Sequence, residues 1–259
     1  MLVESVCHPE RQRGIYFLTH GLGFAHFAPI PITVDPLSDA KVIDSWHTNA
    51  APWTAAVRDK RIESRKLVTD QAIVDAVMSR RPASVLDIGC GEGWLSRALS
   101  AHGVERVIGV DVVPALVDQA NAAGGGEFRV ASYEAVARGE LNLVVDVAVA
   151  NFALIGKEAV DDFVRMSPSL LESGGCLMIQ TLHPVVAGGD QPYEDGWRTG
   201  SWAGFSDDFS DPAPWYFRTL GTWVELIASS GLRLVEMREP LHPATGKPAS
   251  VIFIASRSG

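Results

Sequence analysis

The chain is 259 residues long, 47% hydrophobic and 20% charged, a balance that fills the core of one large domain with appendages. Its formal net charge is −9 with no Lys/Arg stripe, which argues against nucleic acid or an anionic lipid surface as the main partner. Cys7, Cys90 and Cys176 lie far apart with no CxxC pair, so neither a zinc site nor a disulfide framework is expected, and a reducing, cytoplasmic setting fits. Glu4, His8, Glu10, Arg11 and Arg13 fall where a secretory leader needs an apolar run. No apolar stretch approaches the roughly 20 residues that cross a bilayer.

Residues 1–38, rich in His, Phe, Gly and Pro and without helix or strand periodicity, are expected to form a loose extension. An N-terminal helical segment follows over 39–82. Its clearest helix opens at Thr69 or Asp70 as a cap, buries Ile73, Val74, Ala76 and Val77, and stops at Arg80-Arg81-Pro82. Trp46 and Trp53 in this segment read as core, with the wall of a binding site as the other reading.

From residue 83 onward, strand and helix alternate. Short apolar runs at 84–88, 106–110, 127–131, 143–150 and 176–182 are separated by amphipathic segments near 93–102, 114–122, 132–138 and 157–172. Continuous Val/Ile/Leu runs between helices predict a parallel sheet buried on both faces. Gly103 suits the end of the first of these helices and Pro114 the first turn of the second. At the far end, Leu232–Arg238 and Ser250–Ser256 predict an antiparallel hairpin. Residues 183–214 form a long irregular insertion, a length that is usually functional.

The most informative segment is Val85-Leu86-Asp87-Ile88-Gly89-Cys90-Gly91-Glu92-Gly93. It reads as a buried strand entering a D-x-G-x-G-x-G turn, where glycines let the backbone bend sharply and approach a ligand. Trp94 occupies the place where a dinucleotide G-x-G-x-x-G motif needs glycine, and no Walker Lys-Ser/Thr follows. The Asp87 carboxylate would repel a pyrophosphate and suits a cationic ligand instead. Asp111 ends the next strand, where a carboxylate can accept both hydroxyls of an adenosine ribose.

These residues resemble those of class I S-adenosylmethionine (SAM)-dependent methyltransferases, in the bacterial small-molecule branch that includes ubiquinone-, menaquinone- and biotin-pathway enzymes. The resemblance spans roughly 45–259. It implies a Rossmann-like α/β fold with a seven-stranded, mostly parallel sheet, an antiparallel C-terminal hairpin and helices on both faces. SAM is the implied cofactor and a small molecule the implied methyl acceptor. Gly89, Cys90, Gly91 and Gly93 would pass under the methionine moiety, and Asp111 with Val112 would hold the ribose. Ala131 and Ser132 would sit near adenine, although the acidic residue that the family often has there is missing. Asn151, Phe152 and Leu154 would line the methyl end, and Arg65 would pair with the methionine carboxylate.

On the acceptor side, the resemblance places His183 and His242 near the SAM loop, where an imidazole is a workable base at neutral pH. Tyr193, Trp197, Trp202, Trp215 and Tyr216 in and after the insertion read as a lid over a flat or apolar acceptor. The absence of Pro-Pro after Asn151 and the acidic charge weigh against a DNA- or glutamine-directed enzyme. A SAM-binding sensor or scaffold would carry the same glycine loop and stays open as the alternative. A nicotinamide oxidoreductase is disfavoured by Trp94.

Overall fold

The computed structural model describes residues 35–257; most of the expected N-terminal extension lies outside them. Helix α1 (Asp39–Arg58) is capped by Ser38, whose hydroxyl accepts the Lys41 N–H at 3.2 Å. After a turn the chain winds through a five-residue π-helical segment, Arg65–Thr69, that runs directly into α2 (Asp70–Met78). The expected cap is therefore corrected: Thr69 is itself helical and its side chain caps nothing, because the π-turn supplies the preceding backbone. Ile73, Val74, Ala76 and Val77 are buried as their spacing predicts.

The alternating region follows as β1 (Ser84–Ile88), α3 (Trp94–Ala101), β2 (Arg106–Asp111), α4 (Pro114–Ala123), β3 (Glu127–Val130), α5 (Tyr133–Ala137), β4 (Val145–Asn151), α6 (Glu158–Met166) and β5 (Leu171–Thr181). The helix expected over 157–172 is shorter, because Pro168 opens a separate 3-10 turn at Ser167–Leu170. Strand β5 also starts earlier than its apolar run, and its pairing with β4 shifts register between Val145 and Val147.

The insertion carries more structure than the sequence suggests. It holds a short helix α7 (Pro184–Ala187) and a strand β6 (Gly196–Arg198) paired antiparallel with β7 (Trp215–Phe217). Helix α8 (Leu220–Ser229), which the sequence reading missed, begins at Thr219, whose hydroxyl accepts the Thr222 N–H at 3.1 Å. Strands β8 (Leu232–Arg238) and β9 (Val251–Arg257) form the expected antiparallel pair.

The main sheet has the order β3-β2-β1-β4-β5-β9-β8, with β3, β2, β1, β4 and β5 parallel and β9 antiparallel to β5. Side chains alternate across it. Leu86, Ile88, Ala148 and Phe253 face a core shared with Phe163 and Trp223, whereas Val85, Val147, Val149 and Ile254 face Ile73, Leu95 and Leu99. The strand order reverses between β1 and β4, and in such sheets the crevice at the carboxyl ends of those strands binds ligand.

Helix α6 has no cap of its own, since Lys157 precedes it. Asp39, at the start of α1, fills that role across the fold: its Oδ1 accepts the Lys157 N–H at 2.6 Å and its Oδ2 the Ala159 N–H at 2.8 Å. Asp39→Ala should therefore cost about 1–2 kcal/mol, the usual value of a lost cap. Urea denaturation measures it, and an unchanged midpoint would remove the role assigned to Asp39.

Candidate active site

The glycine turn is built by backbone requirements. Gly89, Gly91 and Gly93 all have positive φ (67°, 56° and 83°), a region that L side chains avoid. At Gly89 a Cβ would stand 2.4 Å from the Ala153 Cβ, so the β1 loop and the β4 loop touch there. The Cys90 N–H donates to the Val110 carbonyl at 2.9 Å and ties the turn to β2.

Asp111 ties the β1 loop to its own loop after β2 more firmly. Its Oδ2 accepts the Gly91 N–H and its Oδ1 the Val113 N–H, both at 2.9 Å. Burial pushes its carboxyl upward and those two N–H groups oppose the shift. Each oxygen keeps a further lone pair for another donor.

These loops line a cavity of about 370 Å³, the size range of small-molecule sites. Its wall brings together Arg65, Gly89, Cys90, Gly91, Asp111, Val112, Ser132, Asn151, Phe152, Leu154, Trp202, Trp215 and Tyr216. Two buried polar atoms on this wall have no partner among the described residues, Arg65 Nη2 and Asn151 Oδ1, one a donor and one an acceptor. The rest of the Arg65 fork is fixed. Its Nε donates to Asp70 Oδ1 at 2.9 Å, and its guanidinium lies 4.7 Å from the Trp94 ring centroid and 5.8 Å from that of Trp53. Phe152 holds φ at +54°, an uncommon conformation that is found at ligand sites more often than elsewhere.

Other expected site residues stand off the wall. Asp87 lies one layer beneath it on β1, almost fully buried, accepting the Ser96 hydroxyl at 2.8 Å. Gly93 starts α3 and packs on Phe128, and Ala131 packs against the core. The His183 ring is buried away from the cavity, its Nε2 2.7 Å from Glu239 Oε1. His242 sits in the β8–β9 turn, where its Nδ1 takes the Ala244 N–H at 3.3 Å. Tyr193 accepts the Leu220 N–H at its hydroxyl, and Trp197 stacks edgewise on Tyr216 with centroids 5.6 Å apart. These two rings prop the wall from behind rather than form it.

Trp46 and Trp53 serve both readings: they pack against buried Ala50, Val113 and Leu116 and also line the cavity wall, with Phe205 from the insertion. Val42, Trp46 and Trp53 share one helical face, a stripe the sequence does contain. Trp94 and Arg218 also line the wall without having been singled out for it. Arg218 is held in place, donating to the Gly156 and Lys157 carbonyls and, at 2.7 Å, to Asp161.

Fold and site together define a class of α/β protein that holds an adenosine-bearing ligand over a glycine turn at the carboxyl edge of its sheet. The family described as a methyltransferase domain matches residues 63–236, more than half of the 259, and the chain belongs to it. Among solved structures, a SAM-dependent methyltransferase from Mesorhizobium loti is 22% identical with TM-score 0.52, over 67% of this chain and 90% of that one. The magnesium protoporphyrin IX methyltransferase of Synechocystis PCC 6803, with bound S-adenosylhomocysteine (SAH), is 19% identical with TM-score 0.58, over 85% and 100%. The 1,6-didemethyltoxoflavin-N1-methyltransferase of Burkholderia thailandensis is 17% identical with TM-score 0.57, over 88% and 94%. At these identities the likeness is one of fold. The expected class, a Rossmann-like SAM-dependent methyltransferase, is met by family and fold alike.

Asp87 makes the floor of the site sensitive to pH. Burial, with Asp111 adding like charge, lifts its carboxyl from 3.8 to about 7, while the Ser96 hydroxyl pulls the other way. Between those values the folded chain holds a proton that the unfolded chain has lost, so this group's contribution to stability falls as pH rises toward 7. Asp87→Asn should remove that fall. The stability difference between Asp87→Asn and wild type, from urea midpoints, should shift in favour of the variant from pH 5 to pH 8. A constant difference would mean that Asp87 is ionised throughout.

Proposed function

We propose that this chain transfers the methyl group of SAM to an oxygen or nitrogen atom of a small, flat acceptor. The observation that carries this reading is the division of the cavity wall. One part offers the Asp111 carboxylate and, without partners among the described residues, a guanidinium nitrogen and an amide oxygen; the remainder is mostly apolar, with aromatic rings set among Val, Ile and Leu side chains.

The polar part suits SAM group by group. Arg65 Nη2 would meet the methionine carboxylate, Asn151 Oδ1 its ammonium, and the spare lone pairs of Asp111 the ribose hydroxyls. Ser132, also on the wall, would sit near adenine. When bound, SAM supplies an electrophilic methyl group on a sulfonium sulfur.

The chain's own contribution is positioning and exclusion of water. Trp46, Trp202, Phe205, Trp215, Tyr216 and Trp223 set rings on the cavity wall. Such a slot favours a planar acceptor, since offset and edge-to-face ring pairs add to simple burial. Holding a nucleophile in line can supply roughly 7–11 kcal/mol of the barrier reduction. His183 and His242 as proton acceptors now require a movement that turns a ring toward the cavity, so positioning bears the main load.

Arg65→Ala should weaken SAH binding about 10- to 100-fold, in keeping with the roughly 1.5–3 kcal/mol of a hydrogen bond to a charged group. Titration calorimetry measures this, and wild-type affinity in the variant would refute the Arg65 assignment. Radiolabelled SAM offered with a panel of phenols and heteroaromatic amines should label at least one member of the panel. SAH binding without transfer to any member would favour the sensor reading. Label appearing only in protein or RNA would point to a macromolecular acceptor.

A further inference from the structure

The cavity's cover is formed by two segments remote in sequence, α1 and the loop between β6 and β7. They meet through a polar seam outside the cofactor end. Lys41, Ser45 and Asn49 recur every four residues and so form one stripe along α1. All three contact Ser210 or Asp211. The fully buried Asn49 amide donates to the Ser210 carbonyl at 2.7 Å and accepts the Ser210 N–H at 3.0 Å. The Ser45 hydroxyl donates to the Asp211 carbonyl at 2.6 Å, and Lys41 pairs with the Asp211 carboxylate.

The same point anchors the rings. Trp202 donates its indole N–H to the Ser210 carbonyl at 2.9 Å and packs on Phe209, Phe205 and Trp46 with centroids 4.6, 5.4 and 5.9 Å away. Trp202 and Phe205 line the cavity, whereas Asn49, Ser210 and Asp211 do not. Asp211 holds φ at +47°, so the seam keeps one residue in an uncommon backbone state. The loop is also pinched at its base: a Cβ on Gly200 would stand 1.9 Å from the Ala213 carbonyl oxygen. The β6–β7 pair is therefore the stem, Gly200 and Ala213 the neck, and residues 201–212 a compact flap fastened on its returning arm, at Ser210 and Asp211 just before the neck.

We propose that Asn49 is a positioning residue for the acceptor side: it latches Ser210, seats Trp202 and Phe205 as a removable roof, and sets which small molecules reach the cavity. This rests on the reading of the cavity as a shared cofactor and acceptor site. The glycine turn and Asp111 belong to the sheet edge and make none of the seam's contacts, so releasing the latch opens the roof and leaves the cofactor seat built. A two-hydrogen-bond clip suits this role because it is strong enough to close the cavity and weak enough to open during turnover.

The test uses the full chain with Asn49→Ala and the near-isosteric Asn49→Asp, which keeps the acceptor for the Ser210 N–H but loses the donor. Hydrogen exchange followed by mass spectrometry should show residues 201–212 exchanging at least tenfold faster in both variants, since the Asp side chain sets an oxygen against the Ser210 and Ser45 carbonyls, with β1, β2 and β4 unchanged. Acrylamide, a small neutral quencher, should quench tryptophan fluorescence at least twofold more efficiently in Asn49→Ala. SAH affinity should stay within about threefold of wild type in both variants. Wild-type exchange in 201–212, or wild-type quenching despite faster exchange, would overturn the latch. Faster exchange throughout the sheet would overturn it too, because Asn49 would then be merely structural. If wild type fails to bind SAH, the cofactor reading falls, while the exchange result still judges the latch.

Discussion

One buried carboxylate organises this site. Asp111 accepts a backbone N–H from the β1 loop with one oxygen and from its own loop with the other, both at 2.9 Å. Two loops that leave neighbouring strands are thereby fixed at the crevice where the sheet's strand order reverses. Burial opposes the ionised form of this group, so the two N–H donors are what keep a carboxylate tolerable there. A further donor supplied by a ligand would add to the same balance. Asp87 lies a layer below, off the cavity wall, with its carboxyl lifted by burial to about 7.

The cavity is assembled on two different physical bases. Its floor depends on backbone geometry: positive-φ glycines, a Cβ-free approach to Ala153, and N–H groups turned toward a carboxylate. Such a floor is rigid because the central strands fix it. Its roof depends on ring contacts and a few hydrogen bonds between segments separated by more than 160 positions. A constant cofactor and a variable acceptor make different demands, and this division meets both. Arg65 comes from the π-turn before α2 and stands beside the Trp53 ring of α1.

What the sequence discloses follows the same division. The central strands were legible because parallel strands buried on both faces need continuous apolar runs, as at Val107-Ile108 and Val147–Ala150. The glycine turn was legible because only glycine meets its backbone demands. Strands β6 and β7 were not, since three residues each cannot display a period. Helix α8 was obscured by Gly221, Thr222 and Val224, all weak helix formers, even though Thr219 offers a cap. The π-turn that aims Arg65 has no sequence signature. The seam from Asn49 to Ser210 is a tertiary match with no local trace. His183 and His242 illustrate the converse: their places on the chain put them near the site, but the direction of a ring is set by its partners, Glu239 for the first and the backbone of its own turn for the second.

The central claim is that Asp111 makes the floor a seat for an adenosine-bearing sulfur compound. Calorimetric titration of SAH into wild type and Asp111→Asn, each verified as folded by circular dichroism, tests it most directly. The account predicts saturable one-to-one binding by wild type and at least a thirtyfold loss in the variant. Undetectable binding by folded wild type, or equal affinity in the two proteins, would contradict it.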